Sequence, residues 1–314
     1  MSAISGHVPV LLQPALTALN LSEDAVVIDA TYGRGGHSGA ILGQLGAAGR
    51  LLAVDQDPVA VAHARSCFDG DARVMVCHAR FDELDRVARD QSIHGRVTGL
   101  LMDLGVSSPQ LDDPGRGFSF RDDGPLDMRM DPTRGQPASA WLAHVDEDEL
   151  TRVIRDYGEE RFARRIARSI VKARTEQPLT GTAQLAAVVA AAAGPSAPER
   201  HPATRTFQAI RIYINDELGA LERALALGVD ILAPGGRFVV ISFHSLEDRR
   251  VKQAWRALAK PPAGSRRMPL ARPFRPRLKL VGGLVRPDAA ECAANPRARS
   301  ARMRVAEKLC EEAA

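Results

Sequence analysis

Short runs of apolar residues alternate with longer amphipathic stretches along most of this chain. Such short runs, when turn residues bound them, are typical of buried strands, and the amphipathic stretches between them are typical of helices. The predicted strands lie at 25–30, 51–55, 73–77, 98–103 and 237–242. Strands that alternate with helices predict an α/β fold with a doubly wound, mostly parallel sheet.

The gap between the fourth and fifth predicted strands is too long for one crossover connection. It begins with a loop rich in Gly, Asp and Pro at 107–135, and helical patterns follow at 146–174, 182–193 and 206–227. A gap of that length without structure of its own would be unusual in a compact domain. We therefore predict a helical domain inserted between two parts of the main domain, with boundaries 1–111, 112–205 and 206–314.

A glycine-rich turn at 33–39 follows the first predicted strand, and Asp55 ends the second. Glycine lets the backbone approach a ligand closely, and a carboxylate at the second strand end can accept hydrogen bonds from ribose hydroxyls. Ser38 occupies the last glycine position of the dinucleotide fingerprint, and Asp29 would repel a pyrophosphate but attract a cationic ligand. These features favour S-adenosylmethionine over NAD. The alternative is a tight strand-to-helix turn that binds nothing.

Composition places the chain among globular proteins. Its 314 residues, 45% of them hydrophobic, are enough for one or two domains with a sizeable core. We expect a cytoplasmic protein, because the sequence has neither an apolar run of membrane-spanning length nor a secretory signal pattern. The four cysteines form no C-x-x-C pair and have no histidine at metal-ligand spacing, so we predict neither disulfides nor a metal site.

Basic residues cluster towards the end of the chain, although the formal net charge is only +4. The segment 249–286 contains twelve Lys and Arg residues and neither Asp nor Glu. Such a segment is typical of a surface that binds nucleic-acid phosphates. The alternative is a solvated tail, since five prolines interrupt any helix there.

A second basic pattern lies in the predicted insert, on a helix expected to begin near Glu159. Its residues recur at three- and four-residue steps, which puts most of them on one face of the helix. This face is either a second phosphate contact or a salt-bridged surface with Asp156, Glu159 and Glu160 as partners. The basic residues are Arg161, Arg164, Arg165, Arg168 and Lys172.

Several segments match one protein family in order along nearly the whole chain. They include DLGVSSPQLD at 103–112 and SFHSLEDR at 242–249, and the others lie at 7–12, 32–38, 117–120, 127–132, 157–161, 201–208 and 295–300. Taken together, they resemble the bacterial 16S rRNA (cytosine-N4) methyltransferases. The resemblance implies a class I S-adenosylmethionine-dependent methyltransferase fold with an inserted helical domain. It also implies methylation of the exocyclic N4 of a decoding-centre cytidine in 16S rRNA.

Carried over by position, the resemblance assigns S-adenosyl-L-methionine contacts to particular residues. Asp55 would hold the ribose and Phe81 would offer an apolar face to adenine. Without the resemblance, His37 would cap or pack at a helix start, Phe81 would be a core residue and Gln110 would make loop hydrogen bonds. The implied cofactor-binding residues are Gly35, Gly36, His37, Asp55, Phe81, Asp103 and Gln110.

Asp103 is the candidate catalytic residue, because it ends the fourth predicted strand at the sheet edge where open α/β folds bind ligands. It could hydrogen-bond either the reacting amine or the cofactor. Many base amino-methyltransferases have an Asp/Asn/Ser-Pro-Pro-aromatic motif here, whereas this chain has Asp-Leu-Gly-Val at 103–106. His244 and Glu247 follow the fifth predicted strand and could face the substrate, but a helix-start role for Ser245 and Glu247 is equally compatible with the sequence.

The expected partner is 16S rRNA within the small ribosomal subunit, with no membrane contact and with a homodimer as one option. A flipped target base needs a grip on neighbouring phosphates. Two alternatives stay open: a DNA or small-molecule amino methyltransferase on the same fold, and a noncatalytic RNA-binding assembly factor. The candidate RNA contacts are Arg161, Arg165, Arg266, Arg267 and Arg272.

Overall fold

The computed structural model describes residues 9–194, 201–261 and 274–310. Within these residues the strands are β1 (Val26–Asp29), β2 (Arg50–Asp55), β3 (Val74–His78), β4 (Val97–Asp103), β5 (Leu232–Ser242), β6 (Leu278–Val285) and β7 (Arg302–Lys308). The helices are α1 (Leu12–Leu19), α2 (Gly36–Leu42), α3 (Pro58–Cys67), α4 (Leu84–Asp90), α5 (Ser108–Asp112), α6 (Ala138–His144), α7 (Glu147–Gly158), α8 (Ala163–Glu176), α9 (Thr182–Ala193), α10 (Thr204–Ile214), α11 (Glu217–Ile231), α12 (Ser245–Ala259) and α13 (Ala289–Ala294). Short 3-10 turns lie at Phe81–Glu83, Pro114–Arg116 and Pro296–Ser300.

The described strands form one sheet in the order β3-β2-β1-β4-β5-β7-β6. β1 to β5 pair in parallel, and β7 pairs antiparallel with both β5 and β6. The strand order reverses direction between β1 and β4, so the carboxyl ends of these strands flank a topological switch point. The predicted α/β fold with a mostly parallel sheet is confirmed.

The first four strands begin and end within one or two residues of their predicted bounds. β5 starts earlier than predicted, because Leu232 already pairs with Val97 before the ladder shifts and resumes at Arg237. The pattern gave no prediction of β6 or β7. β6 is an edge strand with largely exposed side chains and a glycine pair, so it lacks the apolar run that marks a buried strand.

Chain contacts divide the protein into two compact units, Met1–Gly105 with Leu218–Ala314, and Val106–Glu217. In the first unit, successive strand residues pack on opposite faces of the sheet. One face, with Leu100 and Phe238, packs against α4, α11 and α12, and the other, with Leu101, packs against α1 and α2. Both faces are buried, which explains the continuous apolar runs of these strands.

The second unit is helical and has its own apolar core, formed by α6 to α10 together with the preceding loop. It extends beyond the predicted boundaries of 112 and 205 at both ends. Val106 packs against this core, and so does α10 through Phe207. Gly158 at the end of α7 lies so close to α10 that a Cβ there would come within 2.7 Å of the Arg205 carbonyl oxygen. The helix-to-helix contact therefore places α10 in this unit.

Two predicted helices break at residues with left-handed backbone. The long helical pattern at 146–174 is interrupted at Glu159, which has φ 48° and ends α7, so α8 begins at Ala163 rather than near Glu159. The predicted helix at 206–227 is interrupted at Asp216, which also has φ 48°. Beside it, the Asn215 side chain donates to the Met128 carbonyl at 2.8 Å. Amphipathic periodicity continues across both breaks, so the pattern did not reveal them.

Phe238 and Trp255 are both fully buried, and their ring centroids lie 5.2 Å apart. Gly228 of α11 packs on the same ring: a Cβ at this position would lie 2.6 Å from Phe238 Cε1. Helix propensity favours alanine over glycine by about 1 kcal/mol, but a buried ring has no free space into which it can move.

We therefore expect Gly228→Ala to lower the free energy of unfolding by about 1–3 kcal/mol, the usual cost of overpacking. Phe238→Leu removes the ring atoms nearest Gly228. In that background the same glycine substitution should cost much less, which a double-mutant cycle by urea denaturation measures. Stabilisation by Gly228→Ala in the wild-type background would show that the ring does not restrict this position.

Candidate cofactor site at the carboxyl edge of the sheet

The glycine turn after β1 is held in place by Asp29, which is 1% exposed. Asp29 Oδ2 accepts a hydrogen bond from Ser38 Oγ at 2.7 Å, and Oδ1 accepts one from the Thr31 amide at 3.2 Å. Burial raises the pKa of Asp29 to about 6, although the bonds from Ser38 and Thr31 lower it. The Asp29 carboxylate therefore stabilises the turn through hydrogen bonds to two of its residues. It also adds negative charge to the carboxyl edge of the sheet.

Gly35 and Gly36 are required by close packing within the protein. Gly35 has φ 76°, and a Cβ there would lie 2.6 Å from the Tyr32 ring. A Cβ on Gly36 would lie 2.2 Å from Pro9 Cγ. The turn is thus enclosed by Tyr32 on one side and Pro9 on the other, which leaves no room for a side chain at either position.

Asp55, at the end of β2, is joined to the same turn. Its Oδ2 accepts from the Gly33 amide at 2.7 Å, and its Oδ1 accepts from the Asp57 amide at 2.8 Å. Burial raises the pKa of Asp55 to about 6, against the lowering effect of the two amide bonds. Each carboxylate oxygen has two lone pairs, so both retain an acceptor position for a ligand.

Asp103 and His37 lie together at the end of β4. The Asp103 amide donates to Thr31 Oγ1 at 2.7 Å, and His37 Nδ1 is 3.8 Å from Asp103 Oδ2, too far for a hydrogen bond. Within the described part of the chain, neither Asp103 Oδ1 nor His37 Nε2 has a hydrogen-bond partner. Two buried polar atoms thus remain without a hydrogen-bond partner in the described part of this edge.

The protonation of this pair follows from burial. Burial raises the pKa of Asp103 well above its ordinary value, and the negative charges of Asp29 and Glu247 raise it further. Burial lowers the pKa of His37 to about 4, so its imidazole is neutral near pH 7. A cationic ligand would relieve the unfavourable burial of negative charge here, whereas an anionic one would increase it.

Phe81 and Gln110 have contacts of the kind expected without any ligand. Phe81 follows β3, is partly buried and packs against the core of the first unit. Gln110 belongs to the second unit and is 5% exposed, and its Oε1 accepts from the Ser107 amide at 2.9 Å at the start of α5. Their proposed cofactor roles rest on the resemblance.

Glu247 has the helix-start role that the sequence left open. Its Oε2 accepts from the amides of Phe243 at 2.8 Å and His244 at 3.2 Å, and its Oε1 lies 3.1 Å from His244 Nε2. With 2% exposure it is enclosed by the start of α12. Its charge still influences the site, because it raises the pKa of Asp103.

The basic face of α8 is partly neutralised. The guanidinium carbons of Arg161 and Arg165 each lie 4.4 Å from the Phe162 ring centroid. Arg165 also donates to the Ala193 carbonyl at 2.6 Å.

Two further basic residues of α8 lie near carboxylates. Arg168 lies 3.5 Å from Glu147. Lys172 approaches Glu176 at 4.0 Å. Part of this face is therefore salt-bridged, but two of the predicted partners pair elsewhere, since Asp156 pairs with Arg155 and Glu160 with Arg205. Arg266, Arg267 and Arg272 lie outside the described residues.

The topology brings six of the seven predicted cofactor residues to the carboxyl ends of β1 to β4, since all except Gln110 lie in the first unit. The sequence did not reveal the structural roles of three residues that shape this edge: Thr31, Tyr32 and Ser38. Tyr32 is 4% exposed, and its hydroxyl lies 2.9 Å from His63 Nδ1. The only sequence signal for this packing role was an aromatic residue between Thr31 and Gly33. Hydrophobic periodicity does not identify a buried residue in a loop.

Among the residues that the structure describes, no group of three or more His, Cys, Asp or Glu side chains is arranged to hold a metal ion. None of the helices in these residues is long and apolar enough to cross a membrane.

Residues 4–309 of this chain match the sequence model of the MraW methylase family. The chain belongs to that family. This membership agrees with the fold, since a mostly parallel sheet with helices on both faces is expected of a class I methyltransferase. The predicted fold class is confirmed. The recognition of the family from its motifs is confirmed as well.

Curated relatives of this methylase match it along nearly its whole length. It is 54% identical over 305 residues to "Ribosomal RNA small subunit methyltransferase H" of Xanthomonas euvesicatoria, covering 97% of this chain and 89% of the relative. The protein of the same name from Chromohalobacter salexigens is 54% identical over 308 residues, with 96% and 92% covered. A solved rRNA methylase from Streptococcus thermophilus aligns with 95% of this chain and 93% of its own, with a TM-score of 0.41 and 11% identity. That likeness is too distant to inform the site.

The raised pKa of Asp103 has a consequence for stability. The folded protein holds this proton more tightly than the unfolded chain, so the free energy of unfolding falls as the pH rises from about 4 towards the folded pKa. We expect Asp103→Asn, which carries no charge, to unfold at a higher temperature than the wild type at pH 8. The gain should be about 1.4 kcal/mol for each unit by which the folded pKa is raised.

Thermal unfolding of both proteins from pH 4 to pH 8 measures this difference, which should vanish at the acid end. The exposed Asp69→Asn provides the control, with little change in stability at either pH. An Asp103→Asn protein that is less stable at pH 8 would contradict the inferred burial of charge.

Proposed function

We propose that this protein transfers a methyl group from S-adenosyl-L-methionine to the exocyclic N4 of a decoding-centre cytidine in 16S rRNA. The observation that carries the proposal is the near full-length match to relatives named ribosomal RNA small subunit methyltransferase H. The N4 position and the decoding-centre location are what the family resemblance described above implies. The proposal makes the small ribosomal subunit the partner and the cytoplasm the location.

The residues at the carboxyl edge fit this cofactor. Asp55 retains acceptor positions suited to ribose hydroxyls, and Asp103 Oδ1 is a buried acceptor without a partner among the described residues. Three carboxylates, on Asp29, Asp55 and Asp103, make the edge favourable for a molecule with ammonium and sulfonium charges. When bound, S-adenosyl-L-methionine supplies an electrophilic methyl group.

The protein's own part in the reaction is to orient the amine. The lone pair of a cytosine amino group is delocalised into the ring, so holding that group in line with the methyl donor supplies much of the rate. Asp103 is the residue proposed to hydrogen-bond the amine or the cofactor. A neutral His37 beside it adds a polar group without adding a positive charge that would repel the cofactor.

The second unit is proposed to hold the RNA through Arg161 and Arg165. Arg266, Arg267 and Arg272, in the basic segment 249–286, are further candidate contacts. Arginine binds phosphates in a fixed, bidentate geometry and stacks on bases. The Phe162 ring holds the guanidinium groups of Arg161 and Arg165 in place. This restriction lowers the entropy that each arginine loses when it binds RNA.

Methyl transfer from labelled S-adenosyl-L-methionine tests the reaction, with undermethylated small subunits, free 16S rRNA and DNA as substrates and nucleoside digestion as the readout. We expect N4-methylcytidine from the ribosomal substrate, and a loss on the order of 100-fold or more with Asp103→Asn. Label on DNA alone would support a DNA methyltransferase. Cofactor binding without any transfer would support a noncatalytic assembly factor.

Arg161 and Arg165 should separate RNA binding from folding. Arg161→Ala should weaken binding to 16S rRNA and reduce the salt slope by about one, with no change in the melting temperature. Arg165→Ala should also lower the free energy of unfolding by about 1 kcal/mol, because Arg165 bonds the last carbonyl of α9.

Filter binding at several salt concentrations and thermal melting measure the two effects. Arg155→Ala removes an exposed arginine that already pairs with Asp156 on α7, so it serves as the matched control. Equal losses of RNA binding in all three variants would indicate a general charge effect rather than a contact at Arg161.

A further inference from the structure

The segment 9–11 lies directly against the glycine turn of the candidate cofactor site. Pro9 packs so closely on Gly36 that a Cβ there would lie 2.2 Å from Pro9 Cγ. The Val10 backbone is also near His37, since it raises the pKa of that imidazole, and His37 Nδ1 lies 3.8 Å from Asp103 Oδ2. This segment therefore packs directly against the residues that begin α2.

Leu11 has an unfavourable backbone conformation for a residue with a side chain. Its φ is 53° and its ψ is 35°, in the left-handed region, and its side chain is 1% exposed. A left-handed leucine persists only where surrounding contacts impose it. The Leu11 carbonyl accepts the first helical hydrogen bond of α1 from Ala15, whereas its amide precedes the helix and needs another partner.

That partner comes from the other end of the chain. The Leu11 amide donates to Glu291 Oε1 at 2.6 Å, across 280 residues of sequence. Glu291 lies in the first turn of α13, and the start of that helix is held separately by Asp288, whose Oδ1 accepts from the Glu291 amide at 2.7 Å. The Glu291 side chain is thus not needed to begin α13.

We propose that Glu291 is a positioning residue of the cofactor site: by holding the Leu11 amide, it keeps Pro9 and Val10 against Gly36 and His37. It does not touch the cofactor. The inference rests on the proposed function for its link to S-adenosyl-L-methionine, while the contact itself stands on the geometry above. A side chain from the final part of the chain thereby sets the shape of the first strand-to-helix turn.

The test compares Glu291→Ala, Glu291→Gln and Asp288→Ala in the full chain. Calorimetry gives the dissociation constant for S-adenosyl-L-methionine, and amide hydrogen exchange reports on Leu11 and on residues 35–37. Loss of a hydrogen bond to a charged group should make Glu291→Ala exchange about tenfold faster at both places and bind the cofactor about tenfold more weakly. Glu291→Gln keeps an acceptor oxygen and should restore most of both properties.

Asp288→Ala removes the cap of α13 but leaves the Glu291 side chain in place. We expect it to lower the melting temperature without changing the exchange of Leu11 or the cofactor affinity. Wild-type exchange and affinity in Glu291→Ala would overturn the proposal, and so would an equal loss in Asp288→Ala. If the wild type bound no S-adenosyl-L-methionine, the proposed function would fail, and exchange at 35–37 would still decide whether Glu291 positions the turn.

Discussion

Burial of carboxylates at the carboxyl ends of β1, β2 and β4 is the constraint on which the first unit depends. A buried charge is costly unless hydrogen bonds compensate it. Asp29 obtains its bonds from Thr31 and Ser38, and Asp55 obtains its bonds from the amides of Gly33 and Asp57. These bonds fix the path of the glycine turn, so the shape of the site is a consequence of satisfying the carboxylates.

Asp103 differs from the other two because one of its oxygens has no partner within the described residues. Its raised pKa is the result of that burial together with the nearby charges of Asp29 and Glu247. A buried carboxylate without enough hydrogen bonds lowers the free energy of unfolding. Such a loss of stability is common at residues that bind a ligand. The same carboxylate edge explains why a cationic cofactor is favoured over a pyrophosphate.

The elements that could be predicted are those with a local physical signature. Buried parallel strands read as apolar runs, and α9 was predicted at its observed bounds because small apolar residues fill it. The breaks at Glu159 and Asp216 could not be predicted, since a single left-handed residue leaves the helical periodicity intact. The extent of the inserted unit was also missed, because it depends on the packing of α10 against α7.

For the candidate site, the sequence by itself determined that Gly35, Gly36 and two strand-ending carboxylates, Asp55 and Asp103, belong to one edge of a sheet. That information is local, because it lies in the succession of strands along the chain and in the residue type that ends each strand. Only the tertiary structure decided which polar atoms remain available and what surrounds the turn. The contact between Leu11 and Glu291 shows the reason: hydrogen bonds and close packing join residues that are distant along the chain, and no local pattern records which of them meet.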